Sequence, residues 1–310
     1  MLRVEIDIFS GRPNPVWIIS DKAETDRLLG VVGEVSRATA KQGAGFDGLG
    51  FREVRVDLIG DDEPKLRRVP QRFALASVAA GDLKASGELA RRFIEAMPLR
   101  SNVKLVQHDL TPLSGDLRDW ILERLADYLK RPPRIRRKKK WPPYNPLRTT
   151  IKDDACKSKC EYEVSQFNPG FWNAPNVQPH NNCYNYGRNW RTDTYAQPGR
   201  AHGAQTSIMQ CNTVTAAAMA DGLVKRCNCL PIDEWPRRLV ALVVDNQAPG
   251  FDYHWYRHQR GGFWGHKPGG TEARNVDNSN VVITSPETCD RGRYNEFCGY
   301  FYAGRSVVIN

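Results

Sequence analysis

An α+β fold in two units is what this sequence predicts, and three observations lead to it. Strand-like alternation and helix-like spacing both occur along the chain. All eight cysteines, at 156, 160, 183, 211, 227, 229, 289 and 298, fall in the second half. A basic, proline-rich stretch divides the chain near its middle. The expected organisation is an N-terminal α+β domain of unassigned role over 1–130, a linker over 131–148, and a Cys-rich α+β domain over 149–310.

Residues 2–9 alternate apolar and polar as a strand does. Ser10-Gly-Arg-Pro-Asn-Pro then fixes a turn, and Val16-Trp-Ile-Ile makes a second short strand. Asp21 caps a helix running toward Thr39, with Leu28, Leu29, Val32 and Val35 near helical spacing. A further strand follows over 51–59, and helices over 86–97 and 115–130. Asp7, Arg12 and His108 are lone polar groups, read as structural or solvated.

Over 131–148, five prolines oppose regular helix. Beyond it, Asn181-Asn182-Cys183 reads as a helix start with an asparagine cap. Thr206–Leu223 carries a small-residue helix. Arg238–Asp245 is a buried strand by its apolar run. Phe251–His258 and Gly262–Lys267 form a hairpin around Gly261-Gly262, and a last strand lies near Gly299.

The composition excludes several classes. Hydrophobic residues make up 40% of the chain and aromatics 10%, enough for a packed core. No apolar run reaches the length of a membrane span. Met1–Phe9 lacks the layout of a signal peptide, so the cytoplasm is the default location, with signal-independent export kept open. The net charge is +10, but residues 131–140 hold seven basic groups and no acid, and without them it is +3. That segment reads as a solvated linker, with contact to nucleic acid or an acidic surface as the sharper alternative. No cofactor is called for.

One constellation suggests chemistry. A thiol becomes nucleophilic when a helix N-terminus and an imidazole stabilise its thiolate. Cys183 stands at a helix entrance, and Asn182 beside it could help bind an oxyanion. His254 on a strand could serve as base. His266 on the returning strand could orient it, with Asn275 or Asp277 as alternative orienters. His180 and His202 are reserve bases, and His258 is read as solvent-facing. Trp172, Trp190, Trp255 and Trp264 are read as core residues that could also wall a cleft.

The order Cys183, His254, His266 resembles the papain-like cysteine peptidase superfamily, in particular its NlpC-type Cys-His-His branch, over about residues 170–270. The resemblance is one of order and spacing. The nucleophile string is Asn-Cys-Tyr-Asn-Tyr where that branch has Asp-Cys-Ser-Gly-Leu, and the gap between Cys183 and His254 is long. It implies a helix-borne Cys packed on an antiparallel sheet and a hydrolase or acyl transferase acting on a peptide-like or acyl substrate through a thioester. The string Phe-Ser-Gly-Arg-Pro-Asn-Pro resembles the opening of uncharacterised bacterial proteins and brings no activity with it.

The competing reading is a non-catalytic binding module stapled by disulfides or zinc. Disulfides tying Cys156 or Cys160 to Cys227 or Cys229 are one arrangement, and a zinc ion on those four thiolates is another. Cys289 and Cys298 flank a loop and could pair, while Cys211 reads as a buried helix residue.

Overall fold

The computed structural model describes residues 1–35, 37–60, 69–99, 111–136, 140–157 and 159–310. His108 and residues 137–139 of the basic run lie outside the described residues. Helices and antiparallel sheets share the chain, so the fold is α+β. The chain divides into two compact units. One comprises Met1–Phe9 and Pro13–Arg137, and the other Ser10–Arg12 and Lys138–Asn310.

The first unit holds strands β1 (Leu2–Asp7), β2 (Val16–Ile19), β3 (Glu53–Leu58) and β4 (Arg72–Leu75) in the order β2-β1-β3-β4, each pair antiparallel. Helices α1 (Lys22–Glu34), α2 (Leu83–Glu95) and α3 (Gly115–Lys130) complete it. Each begins at a residue whose side chain accepts an otherwise unpaired backbone N–H: Asp21 from Glu24, Asp82 from Ala85 and Ser114 from Leu117. Leu28, Leu29 and Val32 of α1 join Val4, Val56, Phe73 and Phe93 in one core.

Asp7, read from sequence as a lone polar group, is an ion-pair partner at the end of β1. It is buried, with Arg52 at 2.6 Å and Arg55 also in contact. Burial alone would raise its carboxyl, but Arg52 and Arg55 outweigh it and hold the pKa at about 2.

The second unit is built on a five-stranded antiparallel sheet of order β10-β9-β8-β11-β7. Its strands are β7 (Val224–Lys225), β8 (Arg238–Asp245), β9 (Asp252–Gln259), β10 (Phe263–His266) and β11 (Glu296–Ala303). A separate hairpin pairs β5 (Arg148–Lys152) with β6 (Glu161–Ser165). All eight residues of β8 are buried, which is why the stretch between its end residues Arg238 and Asp245 is apolar without alternation.

Helices α4 (Cys183–Arg188) and α5 (Cys211–Ala220) belong to this unit. Asn182 caps α4 by accepting from Tyr184 and Asn185 N–H, and the Asn185 side chain accepts from the Asn182 N–H in return. The helix lies close on β9, because a Cβ on Gly187 would stand 3.4 Å from the Trp255 Cβ. Side chains of β9 alternate. Tyr253 and Trp255 join the core with Cys183, Tyr184, Val240 and Leu242, whereas the His254 and Tyr256 rings pack with each other and with His266.

The buried pair at Asp7 sets an expectation for acid stability. Its folded pKa is depressed, so its contribution is present above the ordinary carboxyl pKa near 3.8 and is lost as pH falls toward 2. Asp7→Asn leaves Arg52 buried without its anion and should cost about 3–5 kcal/mol at pH 7. Urea unfolding of both forms from pH 7 to pH 2 should show their difference shrinking below pH 4.

Candidate functional site

The expected nucleophile lies at the first turn of α4, but its surroundings do not activate it. Cys183 is a free cysteine with no exposed surface. Its Sγ points at the Tyr253 carbonyl, 3.9 Å away. Burial, then the negative charge of Asp252, push the thiol well above its ordinary pKa, and backbone amides and Lys267 oppose this only in part. A thiol in that position stays protonated and out of reach of solutes.

The histidines come together without the cysteine. His254 Nε2 lies 2.8 Å from His266 Nδ1, and His254 Nδ1 lies 3.0 Å from Ser10 Oγ. His266 Nε2 lies 3.0 Å from the Val276 carbonyl. A carbonyl only accepts, so His266 carries a proton on Nε2 there. Strand periodicity explains the separation: Tyr253 and Trp255 face α4 and Cys183, and His254 between them faces the other way. His254 and His266 share the second face because His266 pairs with Tyr256 in the β9–β10 register.

Ser10, Asp252 and Tyr294 complete this buried network, and the sequence singled out none of them for a site. The Asp252 carboxylate accepts from the backbone N–H groups of Ser10 at 2.7 Å, Gly11 at 3.1 Å and Arg12 at 3.0 Å. It also accepts from the Tyr294 hydroxyl. Tyr294 lies 2.6 Å from Ser10 Oγ. Burial, then Asp252, raise the Tyr294 phenol well above its ordinary pKa. Gly11 is required, since a Cβ there would run into the Tyr253 carbonyl and ring. Arg12, read earlier as a lone polar group, donates from Nη1 to the Phe251 carbonyl at 2.9 Å. The turn signal at Ser10–Pro15 was visible in sequence. Its pairing with a residue 242 positions away was not.

The remaining candidates have structural work. Asn182 is no oxyanion donor, because its amide N–H groups go to the Gly11 and Ala196 carbonyls at 2.8 and 2.7 Å. His266 Nε2 meets the carbonyl of Val276, which lies between the alternative orienters Asn275 and Asp277. Asp277 accepts the backbone N–H groups of Ser279, Val281 and Asp290 and ties a loop. Asn275 accepts the Ile283 N–H through its carbonyl. His202 pairs with Asp221 at 2.9 Å, and the His180 carbonyl accepts from Tyr195. His258, expected to face solvent, is packed between Tyr162 and Trp264. Burial, aided by Arg226, lowers its pKa to about 4. Trp172, Trp255 and Trp264 are core residues, and Trp190 is partly exposed with Arg188 over its ring. A groove of about 480 Å³ beside α1 and α2 is lined by Glu24, Arg27, Glu88, Arg91, Arg92 and Glu95, none of them an expected catalytic residue.

Six cysteines form disulfides: Cys156–Cys227, Cys160–Cys229 and Cys211–Cys298. The zinc reading of Cys156, Cys160, Cys227 and Cys229 fails here, since a sulfur bonded to sulfur has no thiolate to offer a metal. Among the described residues no group of three or more His, Cys, Asp and Glu is placed to hold a metal ion. Cys289 does not pair with Cys298. It stays free and half-buried, its thiol pushed up to about 11 chiefly by burial. No helix among the described residues is long and apolar enough to cross a membrane.

Comparison with known proteins decides the family. Insoluble matrix shell protein 1 of Ruditapes philippinarum is 42% identical over 146 residues, which make up 47% of this chain and 95% of the relative. The chain belongs to the family of that shell protein. No family model matches it, and no solved structure does either. The papain-like resemblance finds no support among these comparisons. The family corrects the expectations of a hydrolase with a thiol nucleophile and of a bacterial origin. The cytoplasmic default is corrected as well: three disulfides belong to an oxidising compartment, and the relative is a matrix protein of a shell.

Two measurements test the site as drawn. Iodoacetamide applied to the native protein should leave Cys183 unlabelled until denaturant is added, and rapid native labelling at Cys183 would contradict the sealed thiol. Ser10→Ala removes hydroxyl contacts to Tyr294 and His254 and should cost about 1–3 kcal/mol in urea unfolding.

Proposed function

We propose that this protein is a non-catalytic, disulfide-stapled module that serves a structural role in an extracellular matrix. The observation that carries this reading is the placement of the three bridges. Two join the loop between β5 and β6 to the segment after β7, and the third joins the start of α5 to β11. Each spans a large sequence separation, 69 to 87 residues, so each removes much freedom from the unfolded chain. The family membership supports the same role, since the relative is by name an insoluble matrix shell protein.

The chemistry of the interior agrees with a structural role. The imidazole pair, the serine and the carboxylate are spent on one another in a buried network. An acidic surface or nucleic acid bound through 131–140 is a secondary partner reading. Within that run, Arg136 is engaged by Asp47 at 2.7 Å.

Fractionation of the native source tests the proposal. The protein should appear outside cells, with peptide mapping recovering the three named bridges. Recovery in the cytosol with reduced cysteines would overturn it. Replacing Cys211 and Cys298 together by Ala should cost about 2–5 kcal/mol, read as a lower midpoint in guanidinium unfolding.

A further inference from the structure

Arg238 opens β8 on the face that α4 covers, in line with Val240 and Leu242. Arg257 of β9 stands opposite Val240 in the register and so shares that face. Both arginines are buried, at 6% and 3% exposure. Arg257 donates from Nη1 to the Tyr186 carbonyl at 2.6 Å, and its guanidinium lies 4.4 Å over the Tyr186 ring. Arg188, at the end of the same helix, donates to the Val307 and Arg305 carbonyls at 3.0 and 2.9 Å. Arg148 of β5 lies over the Trp235 ring at 4.9 Å.

Four guanidinium groups are therefore gathered around one end of the sheet. Among the described residues, none of the four has a carboxylate within ion-pair distance. Of the nearby acids, Glu163 is held by Arg237, at 3.2 Å and through the Arg237 backbone N–H, and Glu234, which acts on Arg188 from a distance, accepts the backbone N–H groups of Ser306 and Arg305. Arg238 is the least satisfied. Of its five N–H groups, it places one on an acceptor, the Pro236 carbonyl, at a long 3.5 Å. Burial, then repulsion from Arg257, Arg188 and Arg148, push its charge toward release, with only Glu163 pulling the other way. A guanidinium does not give up its proton in a protein, so the charge persists and calls for an anion.

We propose that Arg238, together with Arg257, Arg188 and Arg148, forms a binding site for a small inorganic oxyanion. The rigid fork of a guanidinium matches two oxygens of such an ion, and the backbone carbonyls of Tyr186, Val307 and Arg305 already occupy part of Arg257 and Arg188. The slight exposure of Arg238 restricts the ligand to a small ion and excludes the side chain of a macromolecule.

Isothermal titration of the full chain at constant ionic strength tests this, with inorganic phosphate and bicarbonate as probes and chloride as the reference. Saturable binding of either oxyanion is expected, and the stronger of the two tells whether the site is tetrahedral or planar. Arg238→Met keeps much of the side-chain volume and removes the charge. It should weaken binding by about tenfold or more. Arg148→Gln, an exposed strand position, should weaken it by a smaller factor and provides the test should Arg238→Met not fold. Absence of saturable binding to the wild-type chain would overturn the proposal, as would unchanged affinity in whichever variant folds.

Discussion

The alternation of β9 governs the second unit. A strand sends successive side chains to opposite faces, so one eight-residue segment builds two different environments. On one face, Tyr253 and Trp255 meet α4 and enclose Cys183 in hydrocarbon. On the other, Asp252 and His254 meet the backbone of Ser10–Arg12, the Tyr294 hydroxyl and His266. The thiol and the imidazole that order along the chain suggested as partners are parted by a single step of the strand.

This separation shows which parts of the sequence were legible. Helix caps are local, and Asp21 and the asparagine cap of α4 were readable because their partners lie within three residues. The apolar run Arg238–Asp245 and the Gly261-Gly262 hairpin were readable for the same reason. The meeting of His254 with His266 followed from hairpin register, itself a local constraint. Which face of the sheet α4 would cover is decided by packing over long separations, and spacing along the chain carries no record of it. The Asp252 carboxylate is held by amides from the far end of the sequence, and no periodicity points to them.

The cysteines illustrate the same limit from another side. Their clustering in one half marked a unit with its own covalent chemistry, and two close pairs suggested mutual bridging. Connectivity depended on geometry, and it left Cys183 and Cys289 apart. Three bridges and a shell-matrix relative point away from a reducing compartment, because a bond between sulfurs reports directly on the redox surroundings.

Ser10, Gly11 and Arg12 count with the second unit although more than a hundred residues separate them from the rest of it. Cleaving the polypeptide at residue 138 and discarding the front piece would strip Asp252 of three amide donors and His254 of its hydroxyl neighbour, leaving the buried anion to Tyr294 and a long contact with Arg293. The back half of this molecule is therefore born incomplete. It depends for its finished state on a tripeptide that leaves the ribosome long before it does.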